Sequence, residues 1–129
     1  MSLNMICETV KLTLQFDPEH FDEMERHREA QKLLNQLRYL DEVKSVDRLL
    51  NPNPPDGSYA IGAAIVGALT AEVNVENFLK VMQFLRDRLV GKSIYIKIEA
   101  NGKQIEVKAC SLKELEVVFG LAQGFISGL

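Results

Sequence analysis

SIYIKIEANGKQIEVKA, residues 93–109, decides the architecture. Ile94, Ile96 and Ile98 alternate with Tyr95, Lys97 and Glu99, and Ile105 and Val107 alternate with Gln104, Glu106 and Lys108. Strict alternation is the period of a strand with one buried face. Between the two runs stands Asn101-Gly102, the pair preferred in a type I′ turn because both central residues need a positive φ. With those two residues as the loop, Ala100 faces Lys103, Ile98 faces Ile105, Ile96 faces Val107, Lys97 faces Glu106 and Tyr95 faces Lys108. One face is then apolar and the other carries an opposite-charge pair. The stretch reads as a hairpin of strands 93–100 and 103–109.

Upstream, Val10, Leu12, Leu14 and Phe16 alternate with Lys11, Thr13 and Gln15, which predicts a strand over 9–16. Asp17-Pro18 then reads as a helix start, with Asp17 as N-cap and Pro18 at the first helical position. Glu19, Asp22 and Glu23 suit the positive end of a helix dipole. Phe21, Met24, Ala30, Leu33, Leu34, Leu37 and Leu40 recur at helical spacing, so the helix is expected over 18–40. A short run at 43–49, with β-branched Val43 and Val46, reads as a second strand. Strand, helix and strand in succession predict a βαβ unit with two parallel strands. Asn51-Pro52-Asn53-Pro54-Pro55-Asp56-Gly57 is a loop, since Pro and Gly forbid regular structure there.

Residues 58–69 are rich in small side chains: Gly62, Ala63, Ala64, Gly67 and Ala68. Flanked by Ile61, Ile65, Val66 and Leu69, they read as a helix apolar nearly all round, with 70–74 as a break. Such a helix must be buried on more than one side. Tyr59, Ile61, Gly62, Ala64, Ile65, Gly67, Ala68 and Leu69 are therefore the candidate interface, with a symmetric homodimer as the expected means of covering it. Val75, Phe78, Leu79, Met82, Leu85 and Leu89 mark an amphipathic helix over 75–89; whether it joins 58–69 in one long bent helix is left open. Ser111-Leu112-Lys113-Glu114 has the form of a capping box. It opens a last helix with Leu112, Leu115, Val118, Phe119, Ala122 and Ile126 as its apolar stripe. Gly120, Gly124 and Gly128 are expected to fray its end. The fold class expected is α+β: one domain over 1–129, a mixed four-stranded sheet, and helices on one face, since each strand alternates.

The composition sets limits on function. The 129 residues carry 15 Lys+Arg against 18 Asp+Glu, for a net charge of −3. A general nucleic-acid surface is disfavoured, because phosphate neutralisation needs clustered excess base. The most apolar run, 59–69, is too short for a membrane span, which takes roughly 20 residues. There is no basic n-region or apolar h-region at the N-terminus, so a cytoplasmic location is expected. The two cysteines, Cys7 and Cys110, read as buried thiols in a reducing compartment rather than as a disulfide framework.

Motifs of catalysis are missing. No P-loop, dinucleotide fingerprint, zincin, CxxC or nucleophile-elbow pattern occurs. His20 and His27, if both lie on the first helix, are about 10 Å apart and cannot share an ion directly. The carboxylates Glu19, Asp22, Glu23, Glu25 and Glu29 are interleaved with Arg26, Arg28 and Lys32 and read as a solvated face. No catalytic residue, metal ligand or cofactor is assigned, and the chain is expected not to be an enzyme.

The order of elements resembles one small bacterial family. Leu14-Gln15-Phe16-Asp17-Pro18 starts the likeness, and Leu34, Leu37, Leu40-Asp41, Val43 and Val46 continue it. The Pro-rich loop, the Ile-Gly-Ala small-residue segment, Phe78 to Leu89, the Asn-Gly hairpin and the Ser-x-x-Glu helix complete it. Together they resemble the effector-associated constant component family. The resemblance departs at Val81-Met82-Gln83-Phe84-Leu85, where many relatives carry a tryptophan. It implies a non-catalytic accessory or adaptor of a bacterial effector system for conflict or signalling, acting on a protein partner and oligomeric. The βαβ start suggests the alternative of a small ferredoxin-like regulatory domain that binds a ligand.

Overall fold

The hairpin forms in the register its alternation dictates. In the computed structural model, which describes residues 9–50 and 64–128, β4 (Ile94–Ala100) and β5 (Lys103–Ala109) pair through Ile98–Ile105, Ile96–Val107, Lys97–Glu106 and Tyr95–Lys108. Asn101 and Gly102 take φ values of 53° and 78°, as a type I′ turn requires. β1 (Thr9–Phe16) lies antiparallel to β4 and buries Val10, Leu12, Leu14 and Phe16.

The first helix starts later than its sequence signals suggest. α1 runs over Glu23–Arg38, capped by Asp22 and not by Asp17. The Asp22 side chain accepts from the Glu25 N–H at 2.7 Å, and the Glu25 carboxylate accepts from the Asp22 N–H at 2.9 Å. This reciprocal box outcompetes Asp17-Pro18, whose aspartate is held elsewhere. His20 consequently sits in the turn before α1, and no longer shares a helix with His27. Ala30, Leu33, Leu34 and Leu37 are the buried stripe.

The largest departure concerns 58–69. Residues 58–63 lie outside the described residues, and so do Tyr59, Ile61 and Gly62 of the candidate interface. The rest of the stretch belongs to a strand, β3 (Ala64–Asn74). The helical reading is therefore corrected over 64–69, as is that of 70–74 as a break. Leu69, Ala71 and Val73 point to the core in strict alternation with Thr70, Glu72 and Asn74, through the very residues read as a break. Gly67, at φ +77°, explains the confusion. A left-handed glycine cannot continue a helix. Here it marks a register irregularity against β2 (Val43–Leu50), between the Arg48–Leu69 and Leu50–Ala64 pairs. The bulge interrupts the alternation that would have disclosed the strand.

β3 also changes the sheet. It has five strands in the order β2-β3-β1-β4-β5, and every neighbouring pair is antiparallel. The expected four-stranded mixed sheet is corrected accordingly. β1 and β2 run parallel, as the βαβ reading requires, but β3 lies between them. The βαββαβ order from β1 to β4 is the split βαβ, or ferredoxin-like, arrangement. To it are added the hairpin strand β5 and a C-terminal helix.

A 3₁₀ turn, Val75–Asn77, leads into α2 (Phe78–Leu89), which buries Phe78, Val81, Met82, Leu85 and Leu89. α3 (Leu112–Ser127) buries Leu115, Val118 and Ala122, and Ser111 caps it by accepting from the Glu114 N–H at 3.2 Å. The Glu114 carboxylate reaches one residue further back than a capping box, to the Cys110 N–H at 2.6 Å. All three helices join one apolar cluster with Val10, Leu12, Leu14, Ile94, Ile96 and Ile98. They therefore cover the same sheet face, as the alternation predicts. Each such Leu or Ile contributes about 1.5–3 kcal/mol by leaving water. α1 approaches β3 so closely that a Cβ on Gly67 would lie 2.8 Å from the Arg26 Cβ.

Candidate functional site

Among the described residues, the second sheet face carries no helix. Its side chains follow from the strand registers. Across the sheet run the rows Glu72–Lys11–Glu99, Thr70–Thr13–Lys97–Glu106 and Ala68–Gln15–Tyr95–Lys108. Lys11 and Glu72 are exposed, and Thr13, Gln15, Thr70, Tyr95, Lys97 and Glu99 are half-buried. Charges of both signs alternate, with Lys97 and Glu99 3.8 Å apart and the Lys108 ammonium 5.2 Å from the Tyr95 ring centre. A face of this kind suits specific protein contact better than nucleic acid, which needs one sign.

One end of this face closes on a polar junction. Asp17, directly after β1, is fully buried. Its Oδ1 accepts from the Glu19 N–H at 2.9 Å. Its Oδ2 accepts from the Ser93 hydroxyl at 2.8 Å and lies 3.0 Å from the Lys108 ammonium and 2.9 Å from the His20 Nδ1. The Asp17 N–H donates to the Ser93 carbonyl at 3.1 Å. The junction thus ties the end of β1, the start of β4 and the end of β5. The Glu19 N–H above all holds the Asp17 carboxyl well below the usual carboxylate range. Burial opposes this; Lys108, Ser93 and His20 reinforce it. Asp17 in turn pushes the Lys108 ammonium above the ordinary lysine range.

These residue types can suggest nucleophilic catalysis, but the geometry is of another kind. In a triad the histidine stands between nucleophile and carboxylate. Here Ser93 and His20 both bond directly to Asp17, so the Ser93 proton is directed to the carboxylate and not to the imidazole. The Cys110 thiol lies 3.2 Å from the Ser93 hydroxyl, which is not a base. A carboxylate with four donors and a depressed pKa is a poor proton acceptor. The junction can fix three strand ends; it holds no activated nucleophile. Among the described residues, no group of three or more His, Cys, Asp or Glu is placed to hold a metal ion.

A groove of about 490 Å³ lies between α1 and Val66, lined by Met24, His27, Arg28 and Gln31 among others. Met24, His27 and Arg28 are exposed, so the groove lacks the buried polar anchors that orient a small ligand.

Of the candidate interface, Gly67, Ala68 and Leu69 are buried inside the sheet and cannot form a helix–helix contact. Ile65 is half-buried in β3, which also contains Ala64. Cys110 is exposed, contrary to the buried thiol expected; Cys7 lies outside the described residues. No helix among the described residues is long and apolar enough to cross a membrane. The sequence signals missed Asp17 as the centre of the junction, because Asp-Pro reads equally as a helix cap. The Tyr95–Lys108 pairing, by contrast, follows directly from the hairpin register.

No family model, no curated protein and no solved structure matches the chain.

Proposed function

We propose that this chain is a non-catalytic interaction domain, which binds a protein partner across the sheet face opposite the helices. The observation that carries the reading is the one-sided sheet. Five strands support a broad, rigid surface of interleaved charges around Tyr95, and the described helices all pack on its reverse. Rigid surfaces lose little conformational entropy on binding. The resemblance drawn from the sequence supplies the setting: an accessory or adaptor component of a bacterial effector system, in the cytoplasm.

The test is affinity purification from the native host with the wild type and a Tyr95→Ala/Lys97→Glu variant of unchanged circular dichroism. A partner encoded beside this gene, retained by the wild type and lost by the variant, is the expected result. An identical set of retained proteins contradicts the reading. The split βαβ strand order favours a second reading, a ferredoxin-like regulatory domain for a small ligand, with the groove beside Val66 as the place to test. That reading requires a metabolite that raises the melting temperature of the wild type but not of a Val66→Trp variant.

A further inference from the structure

β5 is the outermost strand of the sheet on its side, and its outer edge is unpaired among the described residues. In a hairpin closed by two residues, the closing pair Ala100–Lys103 is hydrogen-bonded. The N–H and C=O groups of Lys103, Ile105, Val107 and Ala109 therefore turn toward β4. Those of Gln104, Glu106 and Lys108 turn outward, ready to pair with another strand.

We infer that this edge pairs with the β5 of a second copy of the chain, antiparallel and centred on Val107, giving one sheet of twice the width. Charge complementarity selects both occupant and register. Pairing centred on Glu106 would set two like carboxylates face to face. Pairing centred on Ile105 would set Glu106 against Gln104. Centring on Val107 sets Glu106 of each copy opposite Lys108 of the other, twice, on the bare face. On the helical face, Val107 meets Val107 and Ile105 meets Ala109. Lys108 still serves Asp17 within its own chain; the incoming Glu106 adds a second carboxylate on its outer side.

The helix above the edge fits the same dyad. α3 runs back over β5, so that the Lys103 ammonium reaches the Gly128 carbonyl at 3.4 Å. Phe119 faces α2 through Arg86, whose guanidinium lies 5.6 Å from its ring centre. The flank with Val117, Leu121 and Gly124 is on the other side of the helical wheel, away from α2 and toward the free edge. Val117 is 59% exposed and Leu121 48%. A Cβ on Gly124 would meet nothing within 4 Å in its own chain. Two copies joined at β5 bring these flanks together, which adds apolar area to an edge contact too narrow to be stable alone.

The contact lies at the edge of the partner face proposed above, leaves Tyr95 and Lys97 at its centre open, and replaces the helix-borne dimer expected from the sequence. Light scattering during gel filtration at micromolar concentration tests it, with amide exchange as a second readout. The wild type should have twice the 14.5 kDa chain mass, with slow exchange at Gln104, Glu106 and Lys108. Glu106→Lys, which opposes like charges at both pairs, should weaken the dimer at least about tenfold. Leu121→Lys should do so without touching the strand, which keeps the test decisive if Glu106→Lys perturbs folding. A wild-type monomer, or a dimer that both variants retain, overturns the proposal.

Discussion

The β4–β5 hairpin and the β2–β3 pair are both antiparallel strands of one sheet, yet only the first declares itself. Each contains a glycine at positive φ: Gly102 at +78° and Gly67 at +77°. Gly102 sits between two alternating runs, so the turn and the alternation agree. Gly67 sits within a strand, between Val66 and Ala68, and breaks the alternation on either side of itself. A turn glycine tells the reader where a strand ends. A bulge glycine conceals that a strand continues. The two glycines differ in surroundings as well, for a Cβ on Gly102 would meet nothing, whereas on Gly67 it would strike α1.

That contrast gives the largest expected effect. Gly67→Ala combines left-handed strain with a collision against Arg26 and should cost about 3 kcal/mol of stability by denaturant titration. A loss as small as that of a turn substitution would mean α1 does not press on the bulge. Next comes the junction that fastens the hairpin half to β1. The depressed Asp17 pKa contributes stability that is present above the ordinary aspartate value, ~3.9, and disappears as pH falls below it. The raised Lys108 pKa contributes stability that is complete below ~10.4 and disappears as pH rises beyond it. Asp17→Asn should therefore lower the melting temperature by roughly 10 °C at neutral pH and flatten both the acid and the alkaline limbs. A variant that melts in parallel with the wild type at every pH would remove the junction from the account. Gly102→Ala, strained but uncrowded, should cost about 1 kcal/mol. The smallest effect belongs to the bare face, where Lys97→Gln should change stability by less than about 0.5 kcal/mol while weakening partner capture.

The legible parts of the molecule are those where one local rule acts alone. The hairpin register, the part of the α1 stripe from Ala30 to Leu37 and the α2 face follow from spacing, whereas Met24 of the expected stripe is exposed and Phe21 and Leu40 lie outside the helix. The end of β1 is different. Two aspartates, Asp17 and Asp22, each carry a helix-start signal, and the winner is decided by Glu25 together with a demand from Ser93, 76 residues away in sequence. β3 is hidden for a comparable reason. Ala and Gly serve a helix interface and a crowded central strand equally well. Here Gly67 is needed because α1 crowds the strand. The bare face is visible in the alternation of β1, β4 and β5, but its width depends on β3 and so became clear only from the fold.

The central claim is that 64–74 is an inner strand of a sheet whose described helices all pack on one face. Residue-by-residue hydrogen exchange tests it most directly. The amides of Leu69, Ala71 and Val73 should exchange as slowly as those of Leu12 and Leu14, with which the strand shares its ladder. Exchange there as fast as at the exposed residues of β2, or sequential helical contacts through 64–74, would contradict the account.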